Sequence, residues 1–216
     1  MVLLKTIIRP TIAFRYLRLN PTWVKAAAFI LSLHSLLVIL PALSREDITP
    51  PLTVMSMAVL MVNLWMVFKW ISAAAILSLF VILVKQSNEG LSMYKKGLSV
   101  VIHSSIVQSL GVVVSAFLGI AFWLLGISTT FGFASFPSAS TILPFIPIGS
   151  VPFLMLTRVN VFSIWNLFAL TIGIATLFSF NRRKAFLSAF IVWLFLLTAQ
   201  IAVQEFLKIS IIRFAL

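Results

Sequence analysis

Among the polar residues inside the long apolar runs of this 216-residue chain, Lys69, His103, Gln108 and Asn166 stand out. A cation, an imidazole and two carboxamides are groups that bind and hand on a polar solute when they converge within hydrocarbon. Spread over separate faces, the same groups tie helices together or reach back to water. For Lys69 the favoured expectation is the second. A lone buried cation is costly, and a lysine near the outer interface snorkels to it. His34 and His103 lie in different apolar runs, with no His, Asp or Glu partners at metal-ligand spacing, and each reads as a packing histidine.

Groups for covalent or acid–base chemistry are scarce. The four acidic residues are Glu46, Asp47, Glu89 and Glu205, and none forms a pair within an apolar helix. Cysteine is absent, which excludes disulfides, thiol nucleophiles and thiolate metal sites. The chain has no phosphate-binding glycine loop, no serine elbow and no intramembrane protease dyad. It therefore reads as a non-enzyme with no cofactor and no metal. A histidine-dependent enzyme would need His34 or His103 beside Glu205, Lys69 or a bound metal.

Small residues form a second pattern. Ser104, Gln108, Gly111, Ser115 and Gly119 follow one helical face, and the last three make a small-xxx-small ladder that admits a neighbouring backbone. Asn166, Ala169, Gly173 and Thr176 do the same in a later run. Helix packing at Gly111, Ser115, Gly119 and Gly173 is the expectation, with a polar path along these faces as its alternative. Gln200 and Gln204 share a face of the last run and suit a polar seam.

The elements that carry these residues follow from hydropathy. With 62% hydrophobic residues, 9% charged residues and a mean hydropathy of +1.17, the chain is too apolar for a water-soluble fold. A spanning helix needs roughly 20 apolar residues. Five runs qualify: Trp23 to Leu43, a long one within Leu52 to Val84, Leu98 to Leu125, Asn160 to Phe180, and Ala185 to Leu207. The second run has no Gly or Pro between Thr53 and Gly90, so it reads as one long helix rather than a hairpin. The expected fold is all-α, a five-span transmembrane helical bundle.

Charge orients it. Of 16 basic residues, 11 lie before or at the very start of the first run and in the second and fourth gaps, including Arg9, Arg15, Arg18, Lys95, Lys96, Arg182, Arg183 and Lys184. Cytoplasmic loops retain Lys and Arg, so the N-terminus is expected in the cytoplasm and the C-terminus outside. The net charge of +12 sits at span ends, which suits anionic lipid headgroups and argues against nucleic acid. Residues 1–22 form a basic lead-in that reads either as an interfacial helix or as a topogenic tail. Residues 23–216 read as one membrane domain. The connection 127–159 is long, apolar and proline-rich, and is expected to lie on the outer leaflet or to dip back among the helices.

Three stretches resemble the Ypt-interacting-protein (Yip) family of multi-pass membrane proteins. They are Ile8-Arg9-Pro10-Thr11-Ile12-Ala13-Phe14 followed by Asn20-Pro21-Thr22-Trp23; Asn88-Glu89-Gly90-Leu91-Ser92-Met93-Tyr94-Lys95-Lys96; and Val161-Phe162-Ser163-Ile164-Trp165 with Gly173 and Asn181-Arg182-Arg183-Lys184-Ala185. The resemblance implies a five-span fold. Eukaryotic relatives are associated with Rab-type GTPases and traffic between endoplasmic reticulum and Golgi. This chain lacks their long cytosolic N-terminal region and is similar to the compact prokaryotic type, which implies the plasma membrane. The leading expectation is a non-enzymatic membrane-organising or partner-binding scaffold, whose cytoplasmic basic patches meet anionic lipid, an acidic protein partner or a second copy. The alternative is a small transporter or channel. It predicts that Lys69, His103, Gln108 and Asn166 converge on one interior cavity instead of facing lipid or packing interfaces.

Overall fold

The computed structural model describes residues 2–43, 52–86, 89–124 and 150–215; the side chains of 38, 40–43, 119, 120, 122–124 and 203–215 fall outside that description. Among the described residues the regular structure is helical throughout: α1 (Val2–Ile8), α2 (Pro10–Leu19), α3 (Val24–Leu43), α4 (Leu52–Lys85), α5 (Gly90–Leu124), α6 (Val151–Thr157), α7 (Val161–Phe178) and α8 (Arg182–Ala215). Among the described residues, four stretches are long and apolar enough to cross a membrane: Leu52–Lys85, Gly90–Leu118, Val161–Phe178 and Arg182–Ala202. In α3 the described apolar stretch, Val24–Leu37, is shorter. The chain is an integral membrane protein, a helical bundle apolar on its perimeter as well as within. Leu83, Leu52 and Phe117 are 68%, 82% and 69% exposed on that perimeter, a placement that favours lipid over water.

The helices end where the sequence supplies stops. Pro10 opens α2 at a position whose missing N–H costs nothing. Asn20, Pro21 and Thr22 separate α2 from α3. Asn160 caps α7 in a reciprocal box with Ser163, each side chain accepting from the other's backbone N–H at 2.9 Å. The 34 residues of α4 form one helix about 51 Å long, more than the ~30 Å hydrocarbon core. At the other side of the second gap, α5 begins at Gly90, so Lys95 and Lys96 sit on its first turns rather than in a loop.

A few contacts fix the register. Trp70 donates its Nε1 hydrogen to Ser105 Oγ at 3.1 Å between antiparallel α4 and α5. Asn63 donates to Ser35 Oγ at 2.9 Å between α4 and α3. Ser99 donates to the Thr22 carbonyl at 3.2 Å, which sets the foot of α3 against α5. Gly111 lies against Phe162, and Gly173 against Val100 and Phe14, so α5 and α7 run antiparallel in close contact. Lys85 lies over the Phe180 ring at 5.5 Å, drawing the α4–α5 and α7–α8 turns to one end. Exposed Lys95, Arg182, Arg183 and Lys184 share this basic end.

The N-terminal lead-in belongs to the same core. Ala13, Phe14 and Leu17 of α2 are fully buried, while Arg9, Arg15 and Arg18 face outward. Trp165 on α7 donates to the Ile7 carbonyl at 3.3 Å. The amphipathic pattern therefore turns its apolar side onto α7, so the described part of the lead-in is packed continuously with the spans.

Candidate solute cavity

Between α3, α4, α5, α7 and α8 lies a cavity of about 400 Å³, within the size range of small-molecule sites. Its walls bring together His34 from α3, Trp65 and Lys69 from α4, Gln108 and Ser115 from α5, and Trp193 and Gln200 from α8. Thr157, Arg158, Asn160 and Phe162, at the junction of α6 and α7, close one side. That junction is the end of α7 remote from the basic end, so the cavity lies in the half of the bundle away from Lys85, Lys95 and Arg182.

A second chamber of about 20 Å³ shares Lys69, Gln108 and Leu196 with the first and is lined further in by Trp70, Ser104, Ser105 and Asn166. Its volume suits about one water molecule. The Asn166 side chain is 7% exposed, and among the described residues its Oδ1 meets no donor. A buried carbonyl oxygen without a donor costs about 1–3 kcal/mol, which a hydrogen-bonding guest in this chamber would offset.

Of the four polar residues singled out by sequence, Lys69, Gln108 and Asn166 line the small chamber, and the first two also line the larger cavity beside it. His103 does not line them. It is 3% exposed, and its Nδ1 donates to the Ser99 carbonyl at 2.8 Å within its own helix. Lys69, expected to snorkel, lines this cavity. α4 places the residue sixteen positions from Lys85, about 24 Å along the axis, with its side chain toward the cavity. The polar cavity removes the reason to snorkel, because an inward ammonium no longer meets hydrocarbon. A cation left at a helix centre in lipid costs roughly 2.5–3.5 kcal/mol on insertion scales.

Two cavity residues escape sequence reading. His34 was expected to pack; it lines the cavity, with its Nδ1 donating to the Ile30 carbonyl at 2.9 Å and Nε2 left as the ring's other polar atom. Arg158 sits in the long proline-rich connection and comes back to the bundle on the turn after α6. Burial pushes its guanidinium down from the ordinary arginine value, although arginine stays charged at any physiological pH. The available sequence signal was its isolation: Arg158 is the single charge within 127–159.

The small-residue face divides its labour. Gly111 packs: a Cβ there would stand 2.7 Å from Phe162 Cγ. Gly173 packs as well, with Val100 Cγ1 at 2.7 Å and Phe14 Cε1 at 3.0 Å from the same hypothetical atom. Ser115 lines the cavity and satisfies its hydroxyl on the Gly111 carbonyl at 2.8 Å. Gly119 lies outside the described side-chain surroundings, as do Gln204 and Glu205. Among the described residues no three metal-ligating side chains cluster. Compared with protein families, curated proteins and solved structures, the chain matches none.

Proposed function

We propose that this protein is a small transporter or channel, non-enzymatic, that admits a polar solute to the cavity at Lys69 and Gln108. In this reading it crosses the plasma membrane of a prokaryote five times, with the N-terminus in the cytoplasm and the C-terminus outside. The convergence of Lys69, Gln108 and Asn166 on adjoining spaces is the observation that carries the reading. Helix packing alone gives no reason to aim a lysine and two carboxamides at a shared void. The charge distribution supports the orientation, since the basic end would face the cytoplasm and the cavity would then open outward.

The natural absence of cysteine supplies the test. Ser115→Cys and Gln108→Cys, each alone in the full chain, are treated with a membrane-impermeant maleimide in right-side-out and inside-out vesicles. A transporter with alternating access labels Gln108→Cys from both sides and Ser115→Cys from outside. Labelling from outside alone reduces the reading to a fixed outer binding site, and labelling from neither side removes it.

A second reading retains the Yip resemblance and takes the protein as a membrane-organising scaffold. Its support is the exposed basic residues Arg9, Arg15 and Arg18 of the lead-in and Lys95 and Arg182 to Lys184 at the basic end, which suit anionic lipid or an acidic partner. The glycines speak less for contacts between copies, because Gly111 and Gly173 are taken up by Phe162, Val100 and Phe14 of the same chain. Charge reversal at Arg182 and Arg183 would abolish a partner-binding role and leave cavity labelling unchanged.

A further inference from the structure

We infer that the small chamber at Asn166 is a hydroxyl-binding subsite, which takes the terminal hydroxyl of a solute whose carbon body lies in the larger cavity; this rests on the solute-binding reading above. The Asn166 side chain is 7% exposed and lines the chamber, and among the described residues its Oδ1 meets no donor. The hydrogens of the chamber's serines and indole are already spent. Ser104 Oγ donates to the Val101 carbonyl at 3.0 Å, and Ser105 Oγ donates to the Ile102 carbonyl at 2.8 Å. Trp70 gives its Nε1 hydrogen to Ser105 Oγ. Lys69 and Gln108 line the same chamber without reaching Oδ1. The missing hydrogen has to come with the guest.

What faces the guest fixes its chemistry. Asn166 Oδ1 accepts and cannot donate, whereas the Lys69 ammonium donates and has no lone pair. A group that serves both must donate on one side and accept on the other. The chamber holds about 20 Å³, room for a single heavy atom, since one water occupies ~10–15 Å³ by this measure. A hydroxyl meets both demands with one oxygen. An ammonium brings hydrogens but no lone pair, and it meets the like charge of Lys69. A halide or a carbonyl oxygen accepts alone, and a methyl group does neither. Lys69, Gln108 and Leu196 border both spaces, so a hydroxyl held here carries its carbon body past them into the larger cavity. Trp65 and Trp193 line that cavity and suit an apolar body of ring size. A water molecule and the hydroxyl of a solute present the same chemistry to Asn166.

The full chain carrying Ser115→Cys, in phosphatidylcholine nanodiscs, is labelled with maleimide in the presence of 2-phenoxyethanol, ethoxybenzene or 2-phenoxyethylamine. The three share one body and end in a hydroxyl, a methyl and an ammonium group. 2-Phenoxyethanol is expected to halve the labelling rate at a concentration about tenfold below either of the others, because a site built around a hydroxyl rejects analogues that lack it. Asn166→Leu, similar in shape and without the acceptor, should bring 2-phenoxyethanol level with ethoxybenzene. Should that variant not fold, the ranking with Asn166 intact decides. If all three probes protect alike, the chamber holds water alone and the subsite is overturned. A methyl or ammonium end that protects best overturns it too, as does a hydroxyl preference that survives Asn166→Leu. A cysteine that labels and that no probe protects overturns the subsite while the open cavity stands. If Ser115→Cys does not label at all, the solute-binding reading falls and takes the inference with it.

Discussion

Gly173 has no room for a methyl group. A Cβ would enter the space of Val100 Cγ1 and the rim of the Phe14 ring, both fully buried. Gly173→Ala is therefore expected to destabilise the bundle by roughly 1–3 kcal/mol, read as a lowered Tm in detergent. Gly111→Ala should behave alike, because it would press against Phe162 Cβ at 2.9 Å, close to the side chain's root, where it cannot swing aside. Ser115→Ala is the contrast. Its hydroxyl only returns to its own helix, so stability should change by less than about 1 kcal/mol. The small-residue ladder was legible from spacing, but which of its rungs packs and which lines a void was not. That depends on Phe162, a residue some fifty positions away whose ring meets Gly111 only after α5 and α7 pair.

At the scale of elements, α2 and the α7–α8 turn make separate demands. Phe14 holds α2 to α7 from a fully buried site, and Phe14→Ala removes about 3–5 kcal/mol of packing. Released α2 should unwind around the exposed Arg15 and Arg18, so trypsin is expected to cut there faster in this variant than in wild type. α7 ends on Ser179 in the left-handed region, at φ 54°, before the chain reverses into α8. A side chain pays roughly 1–2 kcal/mol for that conformation. Ser179→Gly is accordingly expected to raise the Tm. Most helices could be read from apolar run length, including the single long α4 with no Gly or Pro to break it. The docking of α2 could not. Its amphipathic face announces that something covers Ala13, Phe14 and Leu17, yet a lipid surface and the flank of α7 ask the same pattern of the sequence.

The whole molecule joins an apolar perimeter to a polar interior at one end and a basic rim at the other. Hydropathy and the distribution of lysine and arginine reveal that asymmetry without coordinates, because both act through the bilayer rather than through particular partners. The cavity needed three dimensions. Lys69, Gln108 and Asn166 were visible as polar exceptions, whereas His34 and Arg158 join them only through the crossing of α3 and the return of the chain after α6. Orientation is open to direct measurement: alkaline phosphatase fused after Arg158 is expected to be active outside the cell, and the same fusion after Asn181 inactive.

Water access on α5 bears most directly on the cavity. Gln108 and His103 lie five residues apart on this helix, about 8 Å along its axis, one on the cavity wall and the other sealed in the core. Gln108→Cys and His103→Cys, each alone in the cysteine-free chain, are exposed from outside to a membrane-impermeant maleimide. Gln108→Cys is expected to react at least tenfold faster than His103→Cys. Equal rates, or no reaction at Gln108→Cys, would contradict a solvent-reachable cavity around Lys69.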